Sequence, residues 1–239
     1  MKESTDTKST YHHGDLKGEL LRAAIELVSE GGPDALTMRA LSRRVGVSHA
    51  APYRHFADRR ELLSAVARQG FAGLRRYTLE AGARAHDPVE RFEKMALAYV
   101  DFAIRNPAHY SLMFGREVLT HPVSEELRAA ARSTLSEAVS VIQACQTSGR
   151  VLKGDAQALT DVVWATLHGL ATLSIEGLAR AGSAAQPAHT LISGVASQTF
   201  DAASDLARRA VRTLVRGIAA DPSLIDRNPG DHTSSVITR

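Results

Sequence analysis

The stretch Leu36–Leu63, LTMRALSRRVGVSHAAPYRHFADRRELL, constrains the fold of this 239-residue chain more than any other segment. Thr37 stands as an N-cap ahead of Met38, Leu41 and Val45, whose i, i+3, i+7 spacing lines one face of a helix. Gly46 breaks that period where a left-handed C-cap is needed, a backbone that other residues adopt only at a steric cost. Ser48 then caps a second, short helix. Helix, turn of three or four residues, helix is the helix-turn-helix spacing. Six arginines against the single acid Asp58 give Leu36–Arg60 a charge of +5, whereas the whole chain carries +3. An isolated basic helix is most often a solvated face. Here two caps and a glycine turn coincide with Tyr53, His55 and Phe56 on an element too short to serve only as core. The predicted geometry puts the second helix's N-terminal residues in the major groove and the surrounding polar groups on phosphates. The candidate DNA contacts are Thr37, Arg39, Ser48, His49, Ala50, Pro52, Tyr53, His55 and Arg59. Of these, His49 and Ala50 are expected at the bases, and Thr37, Tyr53, His55 and Arg59 at phosphates.

The run V-S-x-x-x-x-Y-x-H-F followed by D-R-R-E-L-L resembles the DNA-binding signature of the TetR family of transcriptional regulators. Upstream, Leu16, Leu20, Ala24, Leu27 and Val28 form the apolar stripe of a first helix that ends at a glycine pair. Ala50 and Pro52 depart from the family's common Gly and Leu, and Arg59 replaces a frequent Lys with a different donor geometry. Pro52 is predicted to fall at the end of the first turn and to leave the helix intact. Operator preference therefore does not carry over from relatives.

With 44% hydrophobic residues the chain can bury a real core, and glycine and proline punctuate Ala/Leu/Val segments at helical spacing. The predicted fold is all-α: an N-terminal three-helix DNA-binding domain plus a helical ligand-sensing and dimerisation domain. Further helices are expected over 58–81, 87–106, 107–115, 124–147, 155–181 and 191–220. Residues 1–14 read as a flexible arm in which Tyr11, His12 and His13 lie beside DNA. Residues 15–63 read as the DNA-binding domain, 64–220 as the sensing and dimerising domain, and 221–239 as a disordered tail. The absence of an 18-residue apolar run and of a signal peptide predicts a cytoplasmic protein with no membrane span. The single cysteine, Cys145, forms no internal disulfide and reads as a small buried apolar group.

Met95, Tyr99, Phe102, Tyr110, Met113, Phe114, Trp164 and His168 are expected to line a small-molecule pocket, with a filled core as the alternative. Trp164, four residues before His168, shares its helix face, and Trp-x-x-x-His-Gly is similar to a C-terminal subgroup of the family. A core or dimer-interface histidine is the competing reading of His168. Ten histidines lack cysteines or acids at ligand spacing, so neither metal nor cofactor is expected. No phosphate loop or nucleophile elbow supports catalysis. On the last helix Leu206, Val211, Leu214, Val215 and Ile218 oppose Arg208, Arg209, Arg212 and Arg216, and Leu214 and Ile218 are expected at a homodimer contact. The resemblance implies a dimeric repressor released from a palindromic operator by an apolar effector. The alternatives are an architectural DNA-binding protein and an enzyme using His168 with Asp161 or Glu176.

Overall fold

The computed structural model describes residues 15–115, 118, 123–181 and 200–218. The expected arm and tail, and the beginning of the last predicted helix, lie outside these residues. Eight α-helices occur among the described residues: α1 Leu16–Gly31, α2 Met38–Val45, α3 Arg59–Gly82, α4 Pro88–Arg105, α5 Pro107–Met113, α6 Glu125–Thr147, α7 Ala156–Ala181 and α8 Phe200–Ile218. Two short 3₁₀ turns, Pro33–Ala35 and Pro52–Arg54, complete the set. The all-α prediction holds.

The chain divides into two compact units. The first comprises the described residues up to Phe71 together with those of Pro107–Ala130, and the second comprises Ala72–Asn106 and the rest from Ala131. The division falls inside α3, C-terminal to the predicted boundary at 63, and gives α5 and the start of α6 to the DNA-binding head. The core explains this: Leu112, Val118 and Leu127 pack with Leu20, Leu41, Phe56 and Leu62. Three short helices have little apolar surface to share, and the returning segment enlarges the core.

In the head, Asp15 Oδ1 accepts the Gly18 N–H at 3.0 Å and starts α1. Of its predicted stripe, Leu20, Ala24, Leu27 and Val28 are buried and Leu16 is half-buried. Met38 and Leu41 of α2 meet that stripe, and Gly46 ends α2 with φ 74° and ψ 30°, as its place in the sequence predicts. In the second unit α4 packs against both α7 and α8. Asp87 Oδ1 accepts the N–H groups of Val89 and Glu90, while Glu90 Oε2 accepts from His86, a reciprocal cap that fixes the start of α4.

One sequence expectation needs correction. Ala156–Gly177 in α7 is long and apolar enough, by length and composition, to cross a membrane. The apolarity has a visible use in the fold: Val163, Leu167, Leu170 and Ala171 are buried, and α7 lies on α4 and α8.

Candidate nucleic-acid interface and sensing region

The exposed side of the head is built from α2 and the nine residues after its turn. Thr37 Oγ1 accepts the Ala40 N–H at 3.1 Å, the expected cap, so the threonine sits exposed at the α2 N-terminus. From Ser48 onward the chain winds more tightly than an α-helix. Ala51 donates to Ser48 O at 3.0 Å, Arg54 to Ala51 O at 3.2 Å and His55 to Pro52 O at 3.0 Å, all with i→i+3 spacing. The cause is Pro52. It has no N–H to return to Ser48 O, and its ring crowds that carbonyl, so Ala51 takes the acceptor instead. The prediction that the recognition helix survives as an α-helix is thus corrected to a 3₁₀-type turn. Ser48 contributes its carbonyl, which accepts the Ala51 N–H. With three residues per turn, Ala50 and Tyr53 stack along one face.

Ser48, His49, Ala50 and Arg39 are exposed, Tyr53 is 50% exposed, and His55 is half-buried with its ring 6.5 Å from that of Phe56. Pro52 is buried. Its expected role as a DNA contact is corrected to one of shaping the turn. Arg59 also differs from expectation. Its Nε donates to Leu36 O at 2.5 Å and its Nη2 to Pro33 O at 2.8 Å, so the guanidinium clamps the α1–α2 connection.

The local charge is less available than the sequence count suggests. Arg44 pairs with Glu26 and Glu30 on α1, and its hydrogen bond holds the Glu30 carboxyl below the ordinary range. Arg60 pairs with Asp58, whose carboxyl is held down first by the Glu61 N–H and then by Arg60. Arg39, Arg43 and Arg54 are exposed and have no ion-pair partner among the described residues. Arg43 and Arg54 are absent from the predicted contacts. So is Lys17, whose Nζ lies 5.7 Å from the centre of the Phe56 ring, beside the end of the recognition turn. Only the i, i+4 spacing of Glu26 and Glu30 on α1 hinted at which arginine would be neutralised.

This head matches the family model described as "Bacterial regulatory proteins, tetR family" over residues 20–66, and residues 92–197 match "Tetracyclin repressor-like, C-terminal domain". The chain belongs to the TetR family. It is 28% identical over 149 residues to an uncharacterised HTH-type transcriptional regulator of Mycobacterium tuberculosis, covering 62% of this chain and 76% of that one. Over 48 residues, 20% of this chain and 22% of the other, it is 48% identical to the class A tetracycline repressor from transposon 1721 of Escherichia coli. A solved Rhodococcus sp. RHA1 protein of unknown function is similar at 31% identity and TM-score 0.71, over 89% of this chain and 100% of that one. The chain is accordingly a DNA-binding transcriptional regulator of the TetR type, a family whose members bind DNA as dimers.

The eight residues expected around an effector are distributed over both units. Tyr110, Met113 and Phe114 belong to the head. There Phe114 lies 4.9 Å from Tyr110 and 5.4 Å, edge-on, from Phe71, and Met113 packs so closely on α3 that a Cβ at Gly70 would fall 2.5 Å from its sulfur. Tyr110 and Met113 are buried, and Phe114 is half-buried. In the second unit Phe102 meets Tyr77 at 6.0 Å, and Met95 packs on Gly82. Tyr99 Oη and His168 Nδ1 are 3.5 Å apart, and the Trp164 ring stacks on the imidazole at 5.3 Å. Burial pushes the His168 pKa down, favouring the neutral ring. Trp164 is 40% exposed. None of the eight lines either cavity described in the second unit. No group of three or more His, Cys, Asp or Glu side chains suited to a metal occurs among the described residues. Cys145 is buried, as expected, and desolvation raises its thiol pKa to about 11.

α7 leaves an apolar stripe uncovered. Val162 (59% exposed), Ala165, Gly169 and Leu173 (44% exposed) follow one another at i, i+3, i+7 and i+11, on one side of the helix. A Cβ at Gly169 would meet nothing within 4 Å. Ile218, expected at the dimer contact, is instead buried, and its carbonyl accepts the Leu152 N–H at 2.9 Å. That expectation is corrected, because a charge at Ile218 would disturb the fold of the unit itself.

Proposed function

We propose that the protein is a dimeric, effector-responsive repressor that binds a palindromic operator. The observation that carries this reading is that Arg39, Arg43 and Arg54, on α2 and the turn that follows it, are exposed without an ion-pair partner among the described residues, on the same segment as exposed Ser48, His49, Ala50 and Tyr53. In it, His49 and Ala50 face base edges, whereas Thr37, Tyr53, His55 and the arginines hold phosphates. Phosphate contacts supply most of the affinity and make it salt-dependent, and the few base contacts of one short turn require a second head for specificity. The α7 stripe supplies the two-fold contact, its small residues allowing two helices to approach closely. The repressor sign follows the tetracycline repressor, to which the head is similar.

An effector acts only through the difference in its affinity for the free and DNA-bound forms, and DNA weakens effector binding by the same factor. A cytoplasmic site of action follows from this function. That none of the eight expected residues lines a described cavity of the second unit supports one second reading, an architectural DNA-binding protein without an effector.

Selection of bound fragments from genomic DNA tests the proposal. Recovery of inverted repeats whose half-sites lie one helical turn or a multiple apart is the expected result. Recovery of fragments with no shared sequence would leave the architectural reading in its place.

A further inference from the structure

We propose that a groove along α4, between α3 and α8, is a binding site for a neutral, mostly apolar molecule carrying one hydroxyl or N–H donor. The inference rests on the reading of the chain as an effector-responsive regulator, and it places the site away from the Tyr99–His168–Trp164 cluster.

The groove has a volume of about 590 Å³, within the usual range of small-molecule sites. Its space comes from small side chains on three helices: Ala81 on α3, Ala98 on α4, and Ser204 and Ala207 on α8. Val100 and Ile104 give it an apolar floor and are both buried. All of these residues belong to the second unit.

The charges around the groove decide the class of ligand. Lys94 pairs with Glu90 at 2.8 Å and also donates to Arg84 O, Arg208 pairs with Asp205, and Arg76 lies 3.9 Å from Glu80. Every charge named is compensated, so an ionic ligand would have to displace a partner before gaining one. A neutral molecule has no such cost.

Asp101 supplies the polar anchor. Tyr77 Oη donates to its Oδ2 at 2.5 Å and Arg105 Nε donates to the same oxygen at 2.7 Å. Its Oδ1 has no hydrogen-bond partner among the described residues. An ionised carboxylate accepts about four hydrogen bonds, so Asp101, one of the residues lining the groove, keeps acceptor capacity. The bond to Asp101 raises the Tyr77 pKa, which keeps the phenol a donor and Oδ2 occupied. The partner that fits Oδ1 is therefore a donor on the ligand, and apolar contacts with the floor hold the remainder.

The test uses the intact protein and N-phenyl-1-naphthylamine, a neutral apolar fluorophore with one N–H. The expected result is a saturable rise in its emission at one site per chain. Ala81→Phe, which fills the groove from a half-buried position, should weaken binding by roughly tenfold or more, and Ser204→Leu does the same from the opposite wall if the first variant fails to fold. Asp101→Ala should weaken it by about fivefold, the scale of one lost hydrogen bond. His168→Phe should leave it unchanged. Absence of saturable binding, or binding indifferent to both filling variants, overturns the proposal. Dissociation of the dimer by Ala81→Phe also overturns it, because the groove would then be covered by a second copy of the chain. The titration contains no DNA, so the fragment selection judges the regulatory reading separately.

Discussion

The head and the second unit solve opposite problems with the same element, the α-helix. In the head, short helices are fixed by caps, a left-handed glycine, a proline-tightened turn and an arginine clamp on two carbonyls, all around one filled core. The second unit consists of longer helices around α4, which leave an apolar stripe on α7 and a groove beside α4. A surface that reads DNA must hold its side chains in register. A unit that pairs with its copy and admits a ligand must keep apolar surface uncovered. The contrast teaches that local over-determination marks the rigid reader, and uncovered apolar surface marks the part proposed to pair and respond.

The hardest blow to this contrast is a core truncation in the head. Phe56 is buried to within 1%, and Phe56→Ala should cost about 3–5 kcal/mol of head stability. Trp164, the only tryptophan, lies in the second unit, so its emission follows that unit while hydrogen exchange follows the head. The expected outcome is early loss of head protection with the Trp164 transition little moved. Equal shifts in both would show that the two regions are not separately stabilised.

The pairing surface comes next. Val162→Glu with Leu173→Glu should give a folded monomer by sedimentation, with specific operator affinity reduced by about 100-fold or more, on the order of 3 kcal/mol. Gly169→Leu sharpens the point. Its new side chain meets open space within one chain, so normal unfolding with weakened dimerisation is expected. A variant that stays dimeric would place the interface elsewhere.

What was legible in the sequence divides along the same line. Thr37, Gly46 and the α1 stripe act through neighbours three or four residues away, and the structure gives each its predicted place. Arg59 and Pro52 sit differently from their expected places because the first is set by tertiary contact and the second by a winding preference that residue spacing does not reveal. The sequence likewise did not reveal that Tyr110, Met113 and Phe114 belong to the head. A helical run of aromatic and thioether groups states that a face will be buried and is silent on which unit buries it.

Salt dependence separates the exposed arginines from the paired one. Arg54→Ala or Arg43→Ala should each flatten the slope of log affinity against log salt by about 0.9 and weaken all sequences alike. Lys17→Ala should act in the same sense. Arg44→Ala should leave that slope intact and change stability little, as solvent screens a surface ion pair. A slope change at Arg44 equal to that at Arg54 would mean that Glu26 and Glu30 yield the guanidinium to DNA.

The smallest expected effect is a dependence on pH that divides between the two regions. His109, on α5, directs Nε2 to Val66 O of α3 at 2.9 Å; since a carbonyl only accepts, Nε2 carries the proton. Burial pushes its pKa below the ordinary 6.5, although the carbonyl bond opposes this. The unfolded chain therefore binds a proton that the folded head resists. Stability from this group is fully present above about pH 6.5 and declines as pH falls toward the lower folded value. His168 is shifted in the same direction by burial, so both histidines contribute to the acid limb. Replacing them one at a time tells them apart. His109→Gln should flatten the pH dependence of head protection in hydrogen exchange between pH 7.5 and 5.5, and leave that of the Trp164 transition unchanged. His168→Gln should do the reverse. Loss of the Trp164 dependence in His109→Gln would couple the two regions through α5 and dissolve the contrast between them.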